Sequence, residues 1–188
     1  MTRETPSIKE VQQFKLGLIV GHTKKDQGAV MKNKVTEYQY NSQVAEACKK
    51  LSDEHLKVEV IYRDGIGISG AYAKADKLKC DYVIELHFNA FNKKATGTET
   101  LCSNDDKDYD FALSVHTMLC KLFDRGGSSR GVKKIPRSGR GGQSCYSYPN
   151  GKNCLVEPFF GDAETELAMK KQELYAEELF NHVKVLCK

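Results

Sequence analysis

Apolar positions along this chain fall into short runs and helically spaced stretches, separated by polar loops. Leu16, Leu18, Ile19 and Val20 make a run of strand length that stops at Gly21 and His22, ahead of a polar loop reaching Gly28. Thr36 and Gln39 read as a capping box. The helix that follows carries Tyr40, Val44, Ala47, Cys48 and Leu51 on one face and is expected to end near residues 52–55. Val58, Val60 and Tyr62 alternate with Glu59, Ile61 and Arg63, which predicts a strand. Residues 64–70 read as a loop and 71–79 as a short helix. From Tyr82 to His87 the chain is apolar except for Glu85, the pattern of a central strand covered on both faces. A further strand is expected near 98–101. Phe111, Val115, Met118, Leu119, Leu122 and Phe123 then predict a helix, whose acidic start (Asp105, Asp106, Asp108, Asp110) suits the positive end of a helix dipole. Residues 125–144 are rich in Gly and Arg and read as a loop. Cys154, Leu155, Val156 and Glu157 predict a last strand, with Pro158 favouring an extended Glu157. Leu167, Ala168, Leu174, Tyr175, Leu179, Val183 and Leu186 predict one closing helix. Residues 1–14 read as a polar, loose lead-in.

Strands and helices alternate with no repeat and no linker. The expected fold is therefore a single α/β domain over residues 1–188, with a twisted, mostly parallel sheet flanked by helices. The 188 residues suit one domain with a core and are too few for two ordinary ones. With 40% hydrophobic and 29% charged residues, the composition excludes disordered, collagen-like and low-complexity chains. No apolar run approaches the roughly 20 residues of a membrane helix, and the N-terminus shows no apolar segment of a secretory signal. A net charge of +4 is too mild to imply a nucleic-acid partner. Seven cysteines, odd in number, widely spaced and without Cys-x-x-Cys, point to free thiols in a protein made in a reducing compartment.

In open sheets of this kind ligands bind beyond the carboxyl ends of the strands. His22, Arg63, His87 and Glu157 lie at such ends, and Glu37 opens the first helix. Two neutral imidazoles and a carboxylate are a ligand set for a catalytic zinc with an open position. An unligated carboxylate such as Glu157, set between apolar residues, suits a general base. Each residue also has an ordinary reading: a histidine after a strand is commonly a surface residue, and a glutamate in a first helical turn is favoured by the dipole alone. Residues 65–70 match Gly-x-Gly-x-x-Gly, but a dinucleotide site wants an acidic residue about 20 positions on, where His87 stands. The basic segment (Arg125, Arg130, Lys133, Lys134, Arg137, Arg140) lacks the interleaved aromatics of a nucleic-acid binder and reads as a solvated or substrate-facing loop. His55, His116 and His182 read as surface or packing residues. Cys145 and Cys154 are not read as a disulfide or a second metal site.

Taken in order, these positions resemble the zinc-dependent N-acetylmuramoyl-L-alanine amidases of bacterial autolysins, spore-cortex amidases and phage endolysins. The family's Gly-His is Gly21 and His22, followed by Gly28 and Ala29. Its ligand glutamate matches Glu37, its Thr-Arg the pair Tyr62 and Arg63, and its Ser-Ile-His-x-Asn-Ala the segment Glu85 to Ala90. Its Arg-Gly-Val-Lys is Arg130 to Lys133, and its Leu-Val-Glu is Leu155 to Glu157. The resemblance runs from Leu16 to Cys187. It implies one zinc ion held by His22, Glu37 and His87, with Glu157 as catalytic base. Asn89 and Arg140 stand as candidate substrate-binding residues. The implied reaction cuts the amide between N-acetylmuramic acid and L-alanine in peptidoglycan, with no separate wall-binding domain. The alternatives are another zinc peptidase acting on stem peptides and a non-catalytic basic binding protein. The chain departs from the family at Ile19 and Val20, at Thr23 and Lys24, at Phe159, and at Glu85, which replaces a serine. Its size and lack of a signal look most like a phage endolysin, kept in the cytoplasm and acting on the wall for host lysis once the membrane is disrupted, without inserting into it.

Overall fold

The computed structural model describes residues 12–136, 148 and 150–188. The chain runs β1 (Phe14–Val20), α1 (Glu37–Lys49), β2 (Leu56–Ile61), α2 (Gly67–Lys77), β3 (Tyr82–Leu86), β4 (Thr98–Cys102), α3 (Asp106–Leu122), β5 (Ser129–Lys134), β6 (Lys152–Glu157), α4 (Thr165–Lys170) and α5 (Gln172–Leu186). The six strands form one sheet in the order β2-β1-β3-β6-β4-β5. All neighbours are parallel except β6 and β4. This is the expected α/β domain.

Strands buried on both faces must be covered on both faces. On one face Leu16, Leu18, Val20, Ile84, Leu86 and Val156 meet α1, α3 and α5 through Tyr40, Val44, Val115, Leu119, Tyr175 and Leu179. On the other, Ile19, Ile61 and Val83 meet Ala71, Tyr72 and Ala75 of α2, with Tyr148. No helix among the described residues is long and apolar enough to cross a membrane.

Several boundaries differ from the sequence pattern. Phe14 already pairs with Leu56, so the lead-in stops short of it. Helix α1 ends at Lys49, earlier than residues 52–55. Helix α2 starts at Gly67, inside the expected loop, because packing of Ala71, Tyr72 and Ala75 outweighs glycine's poor helix propensity. The closing helix breaks at Lys171 into α4 and α5. Strand β5 lies within the segment read as a loop. It is a polar edge strand, and an edge has no buried alternation to reveal it.

Arg125, grouped with the basic loop on sequence alone, is instead 5% exposed. Its Nη1 pairs with Glu164, its Nε donates to Thr98 Oγ1 at 3.1 Å and its Nη2 to the Pro158 carbonyl at 3.2 Å. Glu164 also accepts the Phe160 amide at 2.9 Å. This buried pair clamps the chain just after Glu157. Removing one partner strands the other charge, so Arg125→Met is expected to cost about 3–5 kcal/mol in urea unfolding. A loss below about 1 kcal/mol would show the clamp to be incidental.

Candidate active site

The capping box forms as the sequence indicates: Gln39 N donates to Thr36 Oγ1 at 3.2 Å, and Thr36 N to Gln39 Oε1 at 3.0 Å. It fixes Glu37 as the first residue of α1 and buries its side chain. Two backbone amides then aim at that carboxylate, Ala29 N to Oε2 at 3.1 Å and Phe88 N to Oε1 at 3.2 Å. Asn41 ties the same helix to the end of β3, its Nδ2 donating to the Leu86 carbonyl at 3.1 Å.

His22 follows β1 with φ of 65°, a left-handed conformation rare for a non-glycine residue. The turn points its Nε2 at Glu37 Oε2, 3.2 Å away. His87 follows β3, anchored by its amide on the Val156 carbonyl at 3.0 Å, and its Nδ1 lies 2.7 Å from Glu37 Oε1. The two imidazole rings stand 5.2 Å apart, edge to face. Glycines make the room. A Cβ on Gly28 (φ +73°) would lie 2.5 Å from His22 Cδ2 and 2.7 Å from Glu37 Oε2. A Cβ on Gly21 would lie 2.7 Å from His87 Cε1.

Burial pushes Glu37 upward, but hydrogen bonds and charge from His22 and His87 outweigh it and hold the carboxyl at about 2. Burial pulls His87 down, yet Glu37 and Glu85 overcome it and raise the ring to about 10. One donor atom from each of His22, Glu37 and His87 lies within 4.8 Å of the others. Two imidazoles and one carboxylate at that spacing fit a zinc ion and leave a position open.

Glu157 ends β6, and the register Leu86↔Val156 sets it beside His87 on the neighbouring parallel strand. Its Oε2 is buried without a hydrogen-bond partner among the described residues. Burial raises Glu157 to about 8; His87 opposes this, while Glu37, Glu99 and Glu85 add to it. Asn89 is fixed by its backbone, its amide donating to the Phe159 carbonyl at 2.9 Å, and its Nδ2 is likewise buried without a partner among the described residues. Orphaned polar atoms of this kind mark places where a ligand completes the hydrogen bonding.

Arg140 and Cys145 lie outside the described residues. Arg130 and Lys133 belong to β5 and pair with Glu99, at 2.9 and 2.6 Å, so they are not a free basic loop. His116 packs between Thr100 and Ser129, and His182 meets Ser114. Cys154 is completely buried. The sequence pattern held no sign of Tyr72, which joins Glu85 in a buried cluster beside His87. Glu85 itself was visible as the one charge in an apolar strand.

A family model described as N-acetylmuramoyl-L-alanine amidase matches residues 17–184. No curated protein matches the chain in sequence. Among solved structures, the catalytic domain of CwlV, an N-acetylmuramoyl-L-alanine amidase from Bacillus (Paenibacillus) polymyxa var. colistinus, superposes with a TM-score of 0.76 at 20% identity, covering 94% of this chain and 100% of that one. An N-acetylmuramoyl-L-alanine amidase from Clostridium difficile 630 gives 0.75 at 21% identity, covering 91% and 95%. The catalytic domain of the CD27L endolysin, which targets Clostridium difficile, gives 0.68 at 24% identity, covering 91% and 97%. The family match spans nearly all of the sequence, the fold agrees, and the motif positions meet at one end of the sheet: the chain belongs to the N-acetylmuramoyl-L-alanine amidase family.

Proposed function

We propose that this amidase is zinc-dependent, with His22, Glu37 and His87 as ligands and Glu157 as catalytic base. The carrying observation is the convergence of three donor atoms beside a buried carboxylate whose Oε2 has no partner among the described residues. When bound, zinc supplies Lewis acidity at the scissile carbonyl. Glu157 takes a proton from the attacking water as the C–O bond forms, and delivers it to the nitrogen of L-alanine as the C–N bond breaks. The products are the lactyl carboxylate of muramic acid and a stem peptide with a free amine. Asn89 Nδ2 is available to hold a substrate carbonyl. Gly21 and Gly28 let the backbone approach the side chains of His22, Glu37 and His87 more closely than any residue with a Cβ would allow.

Mass spectrometry of digested peptidoglycan tests the bond assignment. Intact stem peptides with a free L-alanine amine are expected, and a zinc chelator should abolish their release. Shortened stem peptides would instead identify a peptidase on the same ligands.

We also propose that the protein accumulates in the cytoplasm and lyses its host only after the membrane is breached, in the manner of an endolysin. Cys48, Cys80, Cys102, Cys120 and Cys187 are free thiols among the described residues, which suits folding in a reducing compartment. Expression alone should leave cells intact, and permeabilisation should lyse them. Lysis on expression without a membrane-disrupting partner would point to export instead.

A further inference from the structure

A carboxylate within an apolar strand needs partners. Glu85 is completely buried on β3, two residues from Val83 on the face that α2 covers, and its oxygens gather three donors. Arg63 Nη1, from just past β2, lies 3.2 Å from Oε1. The Tyr72 hydroxyl, from α2, donates to Oε2 at 3.2 Å. His87 Nε2 lies 2.9 Å from Oε1. None of Glu85, Arg63 and Tyr72 has a part in the reaction above.

The His87 ring therefore spans two carboxylates. Its Nδ1 faces Glu37 within the ligand set, and its Nε2 faces Glu85 outside it. A neutral imidazole offers a lone pair through only one nitrogen, and the hydrogen bond made by the other nitrogen decides which. A carboxylate that already receives a guanidinium and a phenol accepts hydrogen from Nε2 and has none to give. When the ring gives up one proton to ligate a metal, the lone pair is thus left on Nδ1, the atom turned to the ligand set.

We propose that Glu85, anchored by Arg63 and Tyr72, is a positioning residue that holds His87 with Nδ1 directed at the metal site. Zinc retention then depends on α2 and on the end of β2, although neither supplies a ligand. This rests on the zinc reading given above.

The test compares wild type, Glu85→Gln, Tyr72→Phe and His22→Ala, each stripped with a chelator and titrated with zinc against a chromophoric chelator. Thermal unfolding of the zinc-free proteins reports folding separately. Glu85→Gln is expected to weaken zinc binding about 10- to 100-fold while the zinc-free protein stays folded. Tyr72→Phe, which removes one anchor and keeps the carboxylate, is expected to weaken it by a smaller factor. In ¹⁵N spectra of zinc-loaded wild type, His87 should carry its proton on Nε2 and coordinate through Nδ1. That measurement and Tyr72→Phe decide the matter even if Glu85→Gln does not fold. If zinc binding is lost in His22→Ala but unchanged in Glu85→Gln and Tyr72→Phe, the positioning role alone is overturned, as it is by coordination through Nε2. A wild-type protein that holds no zinc overturns both this and the zinc reading.

Discussion

The Glu157→Gln variant should lose turnover on the order of 10³-fold while still retaining zinc, because it removes the proposed proton acceptor and leaves the three proposed ligands in place. The same substitution should stabilise the metal-free protein at alkaline pH. In the folded chain burial raises Glu157 from 4.5 to about 8. Between those values the folded state holds a proton that the unfolded state has released, so stability falls as pH rises through this interval. Glutamine cannot ionise and escapes the penalty. Melting curves of chelator-treated protein should therefore coincide for wild type and variant below about pH 4, and diverge in the variant's favour by up to about 5 kcal/mol above about pH 8. The two readouts answer different questions. A variant that still releases stem peptides at the wild-type rate removes Glu157 from the chemistry. Identical melting at every pH denies that its carboxyl is held in an unfavourable setting.

The second large effect is expected at Gly28. Its φ of +73° disfavours any other residue, and the added methyl would meet two of the proposed ligand side chains together, His22 and Glu37. Gly28→Ala should therefore cost about 1–3 kcal/mol of stability and push the imidazole and carboxylate apart. Zinc affinity and turnover should fall together, by about 100-fold or more, since a metal site tolerates ligand displacements of only a few tenths of an ångström. Gly65, with a similar φ of +75° and nothing within 4 Å of the place a Cβ would occupy, is the matched comparison. Gly65→Ala should show the backbone cost without the loss of metal. Equal metal affinity in the two variants would mean that the ligand pocket adapts.

The parts of this protein that could be read from sequence are those where one physical demand dominates. A doubly covered strand must be apolar throughout, so β1 and β3 announced themselves, and a capping box has a fixed spacing, so α1 did too. The four candidate site residues could be singled out because strand ends and a helix start are where ligands gather. Other features depend on partners distant in sequence. Strand β5 reads as a charged loop because its lysines and arginine find Glu99 and Asp106 only after folding. Arg125 looks like a surface base until Glu164 is folded against it. Glu85 was conspicuous, but nothing local named Arg63 or Tyr72 as its companions. The start of α2 was hidden by glycines whose propensity was overruled by tertiary packing.

The strand order has a consequence for how the molecule is made. The last strand in the sequence, β6, occupies the interior of the sheet, between β3 and β4. Without β6, this order leaves two separate groups of strands, β2-β1-β3 and β4-β5, each with an unpaired edge where β6 would lie. Neither can borrow stability from the other, and the pairing that unites them links distant parts of the chain, which makes it slow. Glu157 rides in on that keystone strand. Under the proposed assignment, the carboxylate expected to act as base therefore enters the sheet with the strand that joins its two parts, after His22, Glu37 and His87 in chain order.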